Sequence, residues 1–185
     1  VFLRPMWGER KMRCLPIFIA ALAAAAPAAA EVRSSSASGF VVETTATVPV
    51  PPADAYAALV RVGRWWNSAH TYSGDAANMT IEPRAGGCFC EAVPADGGSI
   101  EHGRVIHARP AQTLRVQGAL GPLQAEAALG TLTWSLRATD SGTEITQTYV
   151  VGGHMRGGFE AVAPLVDQVL AEQLRRLTEH LRRPA

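Results

Sequence analysis

The last 26 residues of the chain constrain everything before them. From about Glu160 to Arg182, Val162, Val166, Val169, Leu170, Leu174, Leu177 and Leu181 recur at helical spacing, while Glu172, Arg175, Arg176, Glu179 and Arg182 mostly take the other side. A helix with one apolar stripe must bury it against another layer. Pro164 belongs in its first turn or marks a kink, and Gly157-Gly158 let the chain turn into it.

The other layer is legible as short β-signals at hairpin spacing: Phe40–Val48, Asn78–Glu82, Gly87–Val93, Ser99–Ala108, Gln112–Gly118, Ala128–Thr139 and Thr143–Val151. Turn chemistry separates them, as at Pro83-Arg84-Ala85-Gly86, Arg109-Pro110-Ala111 and Thr139-Asp140-Ser141-Gly142. Leu132, Trp134 and Leu136 share one face, and Ile145, Gln147, Tyr149 and Val151 share another, opposite Glu144, Thr146 and Thr148. Strands that bury one side only are antiparallel in habit. After the first strand, Pro49, Pro51 and Pro52 stop the extended run. A short helix over Ala53–Arg61 follows, with Asp54 in its first turn, and then a second short helix or turn at Arg64-Trp65-Trp66-Asn67. Ala119–Ala127 reads equally as a loop or a bent strand entry. The expected class is α+β: an antiparallel sheet of about seven strands, two short helices after the first strand, and the long final helix as its cover.

The N-terminal end has a different character. Arg10, Lys11 and Arg13 precede an apolar run over Leu15–Ala26, and Ala28-Ala29-Ala30 stand before Glu31, the pattern of a secretory signal peptide over residues 1–30. The run is shorter than the roughly 20 residues of a comfortable membrane span. Residues 31–38 read as a flexible polar linker, which leaves one domain over 39–183 in a secreted or periplasmic protein. Removing residues 1–30 takes the net charge from +1 to about −2 and removes Lys11, the only lysine. That balance argues against a nucleic-acid partner. An apolar share of 48% excludes a disordered chain. The mature protein is expected to have no membrane span.

Cys88 and Cys90 are the two cysteines beyond the signal segment. Two residues along a strand lie about 6.6 Å apart, at the upper edge of the roughly 4.4–6.8 Å that a disulfide bridges. A strained bridge, two buried thiols and a soft-metal pair all fit that spacing. His102 and His107 are five apart and so face opposite sides of a regular strand. No His-x-His or Glu-x-x-His element occurs, and no metal ligand is assigned. Trp65 and Trp66 are adjacent and cannot both face the core, which makes one a candidate for a cavity mouth. Trp134 and Tyr149 lie on inward faces, and Gln147 is a polar residue on an apolar face that needs a partner: ligand, water or backbone group. Phe159 follows a glycine-rich hinge containing His154, Met155 and Arg156. With His107, the expected ligand-binding set is Trp65, Trp66, His107, Trp134, Gln147, Tyr149 and Phe159.

The stretch Val48-Pro49-Val50-Pro51-Pro52-Ala53-Asp54-Ala55-Tyr56-Ala57-Ala58-Leu59, followed by Trp65-Trp66, resembles the first strand and helix of the SRPBCC superfamily. This is the START/Bet v 1-like group that includes polyketide cyclase/dehydrase-type and Aha1-like domains. Gly86–Glu91, Gly103–His107 and Gly142–Gln147 are similar to further segments of that family, and the resemblance spans about residues 40–182. It implies a helix-grip fold, in which a curved antiparallel sheet wraps the final helix around a cavity, and a hydrophobic ligand such as a lipid, sterol or polyketide. The family has no universal catalytic set, so the resemblance assigns no catalytic residue and no cofactor. An exported small-molecule-binding protein is the leading expectation. The alternative is a cyclase/dehydrase- or hydrolase-type enzyme using a cavity His or Glu as general acid/base, and a third is an exported interaction module. A buried carboxylate and histidine facing each other across an open cavity would favour the enzyme, a polar-poor cavity the carrier, and no cavity the module.

Overall fold

The structure is a computed structural model that describes residues 29–183. The expected signal peptide lies almost wholly outside the described residues. Eight strands form one antiparallel sheet in the order β1-β2-β8-β7-β6-β5-β4-β3. They are β1 (Ala29–Ser36), β2 (Gly39–Val48), β3 (Met79–Ile81), β4 (Cys88–Val93), β5 (Gly98–Arg109), β6 (Thr113–Gly118), β7 (Ala127–Thr139) and β8 (Gly142–His154). A short helix α1 (Pro52–Leu59) and three 3-10 turns lie between β2 and β3, and the long helix α2 (Ala163–Arg182) closes the chain. The class is α+β with a helix-grip-like arrangement: a curved, open sheet with α2 against its inner face.

Two elements differ from the sequence reading. Residues 31–38, read as a linker, mostly belong to β1, which makes the sheet eight-stranded rather than seven. Its serines supply no hydrophobic signal, but an edge strand is held by backbone pairing and tolerates polar side chains. Val32 packs on the core, and Arg33 pairs with Glu31 at 2.7 Å and Glu43 at 3.0 Å. The second short helix is instead a series of 3-10 turns, Val62–Arg64, Ser68–His70 and Ala76–Asn78, the last two capped by the side chains of Asn67 and Asp75. The ambiguous Ala119–Ala127 stretch holds a further 3-10 turn at Gly121–Ala125, anchored by fully buried Leu123.

The alternation read in β7 and β8 sets the core. Leu132, Trp134, Leu136, Ile145, Gln147, Tyr149 and Val151 are all buried. Gly130 is where the sheet needs a glycine: a Cβ there would lie 2.2 Å from the ring of Tyr149. Because that space is open, Tyr149 crosses it, donates to the Gly118 carbonyl at 3.1 Å and accepts from the Leu120 N–H at 3.2 Å.

One polar chain joins sheet to helix. Trp134 Nε1–H donates to Gln147 Oε1 at 2.8 Å, and Gln147 Nε2 donates to the Leu170 carbonyl of α2 at 2.9 Å. Further along α2, Leu174 and Leu177 are fully buried. Leu174→Ala is expected to destabilise by about 2–5 kcal/mol. Arg175→Ala, which removes only an exposed Arg175–Glu179 pair, should cost less than about 0.5 kcal/mol. Gln147→Leu orphans the Trp134 N–H and should cost about 1–3 kcal/mol. Urea denaturation reads all three, and equal effects at 174 and 175 would contradict this placement of the helix.

Candidate functional site

The loop after α1 is stitched to α2 by three helix side chains. Gln173 Oε1 accepts from the Asn67 N–H at 2.8 Å, Glu172 accepts from the Asn67 side chain, and Arg176 donates to the Trp65 carbonyl at 2.9 Å and the Trp66 carbonyl at 3.3 Å. Contrary to the expectation that only one of them could face the core, both tryptophans are buried in it, because the chain turns in a 3-10 geometry there rather than running as a regular helix, and their indoles are held differently. Trp65 is core, its Nε1–H shared between the Ala58 and Leu59 carbonyls at 3.2 Å each. Trp66 donates to the His70 carbonyl at 3.1 Å and borders an open cavity.

That cavity, of about 230 Å³, lies between the N-terminal half of α2, the Trp66–Tyr72 loop and the Leu120–Pro122 turn. Val162, Leu165, Val166, Val169 and Leu170 supply the helix side, and His102 closes the sheet side. Leu165 is 59% exposed at the rim, an apolar side chain left facing outward. Tyr72 Oη donates to the Gly121 carbonyl at 3.1 Å and so ties the two loops of the mouth together.

Of the expected ligand-binding residues, only Trp66 borders this cavity. Gln147 finds partners within the protein, in Trp134 and the Leu170 carbonyl, and does not border the cavity. Trp134 and Tyr149 fill the space between sheet and helix, and Tyr149 is held as a neutral phenol, its pKa pushed up to about 12 by burial. Phe159 is fully buried against Phe40, with ring centres 5.9 Å apart, and its carbonyl accepts the Val162 and Ala163 N–H groups at the start of α2, so it anchors the helix and does not border the cavity. His107 pairs with Arg115 across β5 and β6, on the side of the sheet away from α2. Cys88 and Cys90 are joined by a disulfide. Their Cα atoms are 5.4 Å apart, closer than in a regular strand, where the β4–β5 register slips at a bulge. Cys88, Cys90 and Glu101 form the one grouping of metal-type side chains among the described residues, and both its sulfurs are in that bond.

A buried pair, Glu91 and His102, does not show in the spacing of the sequence. Glu91 follows Phe89 at period two and therefore points inward, where it is 1% exposed. His102 is the extra residue of the β5 bulge, which turns both His102 and Gly103 inward. A second bulge at Ile106 restores the alternation, so His107 still faces out. The glycine directly after His102 is the available signal, since a glycine inside a strand often marks a bulge. His102 Nε2 lies 3.0 Å from Glu91 Oε2, and the other carboxylate oxygen accepts the Ser73 N–H. His102 is also part of a run of rings, 5.0 Å from Phe89 and 6.0 Å from Tyr72, with Phe89 5.9 Å from Trp66.

Burial would raise the Glu91 carboxyl, but hydrogen bonds from Ser73, Tyr72 and His102 outweigh it and hold the group below the usual carboxylate range. Burial also dominates at His102, pushing its pKa down against the pull of Glu91. The pair is thus an ionised carboxylate holding a neutral imidazole.

No protein-family profile matches the chain, and no curated protein sequence matches it. Solved structures do share its fold. A protein from Rhizobium leguminosarum superposes with a TM-score of 0.59 at 20% identity, covering 85% of this chain and 99% of that one. A Rhodobacter sphaeroides protein gives 0.55 at 20% identity, over 83% and 98% of the two chains. MLL2253 from Mesorhizobium loti gives 0.55 at 17% identity, over 78% and 98%.

Both lowered pKa values make acid destabilising. His102 contributes stability that is lost as pH falls below the ordinary histidine pKa of about 6.5, because the unfolded imidazole takes up a proton that the buried one resists. Glu91 adds a loss in the same direction at lower pH. Denaturation midpoints should therefore fall between about pH 7 and about pH 5, and His102→Gln should flatten that slope. An unchanged slope in the variant would show that His102 is not buried as a neutral group.

Proposed function

We propose that the protein is an exported binder of a compact apolar small molecule, held in the cavity between the first half of α2, the Trp66–Tyr72 loop and the Leu120–Pro122 turn. The observation that carries this reading is the cavity itself: an open, largely apolar space with Trp66 and four α2 side chains from Leu165 to Leu170 on its walls. The SRPBCC resemblance points the same way. Size narrows the ligand. A cavity of about 150 Å³ takes benzene, so 230 Å³ suits a bicyclic ring system or a medium alkyl chain. A whole sterol or long-chain lipid would have to protrude past Leu165.

The enzyme reading stands second, favoured by one observation. The Glu91–His102 pair has the carboxylate–imidazole arrangement that orients a general base. Only His102 borders the cavity, however, with Glu91 behind it, so the two do not flank the space from opposite sides.

Native mass spectrometry of protein purified from the exported fraction of its own host tests the proposal in one measurement. The polypeptide mass should correspond to cleavage near Ala30, and an added mass should report a compact non-covalent ligand. A polypeptide retaining Leu15–Ala26 would overturn cleavage near Ala30, and absence of the protein from the exported fraction would overturn export. Protein that carries no added mass and also fails to bind naphthalene saturably would overturn the binding role. A ligand whose mass changes on incubation with the protein would favour the enzyme.

A further inference from the structure

The Glu91–His102 pair sets which hydrogen-bonding group the cavity can accept. The Glu91 carboxylate accepts the Ser73 N–H on one oxygen and faces His102 Nε2 with the other, with the Tyr72 backbone N–H as a further donor. An ionised carboxylate only accepts, so the imidazole must place its proton on Nε2. Its lone pair is then at Nδ1. That atom has no hydrogen-bond partner among the described residues, and it is not sealed off. Among the described residues, the wholly buried side-chain atoms without partners are Tyr56 Oη, Asp167 Oδ1 and Gln173 Nε2. His102 itself borders the cavity, among walls formed by Trp66, Leu120, Val166, Val169 and Leu170.

The geometry points to a hydroxyl-bearing aromatic or alicyclic molecule, a phenol or a cyclic alcohol, whose O–H donates to His102 Nδ1 while its ring packs on the apolar wall. This rests on the cavity being the ligand site. An ether or ketone would set an acceptor against an acceptor and leave both unpaired. A carboxylate would bring a second negative charge beside Glu91 in a poorly solvated site.

Calorimetric titration of naphthalene, 2-naphthol and 2-methoxynaphthalene separates these cases. For the wild type, 2-naphthol should bind roughly tenfold more tightly than naphthalene, the effect of one added hydrogen bond of about 1.4 kcal/mol. The methoxy compound should gain nothing over naphthalene. Glu91→Gln makes a sharper test. The Ser73 N–H still requires an acceptor, so the carbonyl of the substituted amide turns to it and the amide NH2 faces His102 Nε2, driving the imidazole proton to Nδ1. In that variant 2-naphthol should lose part of its advantage and the methoxy compound should gain severalfold. Nitrogen-15 NMR of His102 reads the tautomer directly, with Nε2–H expected in the wild type and Nδ1–H in the variant.

If neither naphthalene nor 2-naphthol binds, the cavity reading fails and this inference falls with it. If both bind equally well, the cavity stands and the inference is overturned. A wild-type His102 that is charged, or protonated on Nδ1, overturns it whether or not the variant folds.

Discussion

The structure depends on one amide. Gln147 sits on the innermost strand face with 1% of its surface exposed, where an unpaired polar group would be strongly destabilising. It is satisfied only if the Trp134 indole lies beside it and the Leu170 carbonyl lies above it. Hydrophobic packing alone lets a helix slide or rotate over a sheet at modest energy. A buried hydrogen-bond pair with fixed directions does not. Leu170 is thereby pinned over β8, and the rest of the α2 stripe follows: Leu174 and Leu177 fall into the closed core, while Val166 and Val169 face the cavity.

The same helix places the opposite wall. Glu172, Gln173 and Arg176 hold the loop that carries Trp65 and Trp66, so the core tryptophan and the cavity tryptophan are both referenced to α2. The sheet side is set independently, by the bulge that turns His102 inward onto Glu91. The cavity is therefore bounded by rigid elements on two sides, and its weakest part is the mouth formed by the Tyr72 loop and the Leu120–Pro122 turn. Tyr72 links these through exposed hydrogen bonds to the Gly121 carbonyl and Gln124, contacts that break at low energy.

The elements with strong periodicity are legible in the sequence. The α2 stripe, the seven apolar strands and the inward set Ile145, Gln147, Tyr149 and Val151 all follow from spacing. β1 is not, because Ser34, Ser35 and Ser36 join the sheet by backbone pairing with β2 and leave no hydrophobic trace. The site is less legible still. Spacing puts Gln147 on the inner face, but whether its partner is a ligand or the Leu170 carbonyl depends on a contact between residues 23 apart. Glu91 and His102 meet only because two residues of β5 oppose one position of β4, and period-two reading cannot foresee an inserted residue. Leu165, exposed at the rim, lies outside the helical stripe, and spacing alone does not connect it with the cavity.

The central claim is that the space beside Leu170 is a stable, apolar, accessible cavity rather than a gap that side chains or ordered water fill. Crystals pressurised with xenon test it without presuming any ligand, since xenon enters dry apolar cavities and avoids hydrated polar ones. Xenon density between Trp66, Val166 and Leu170, with the Trp134–Gln147–Leu170 chain unchanged, is the predicted result. A cluster of ordered waters there with no xenon, or a cavity collapsed by movement of Trp66, would contradict it.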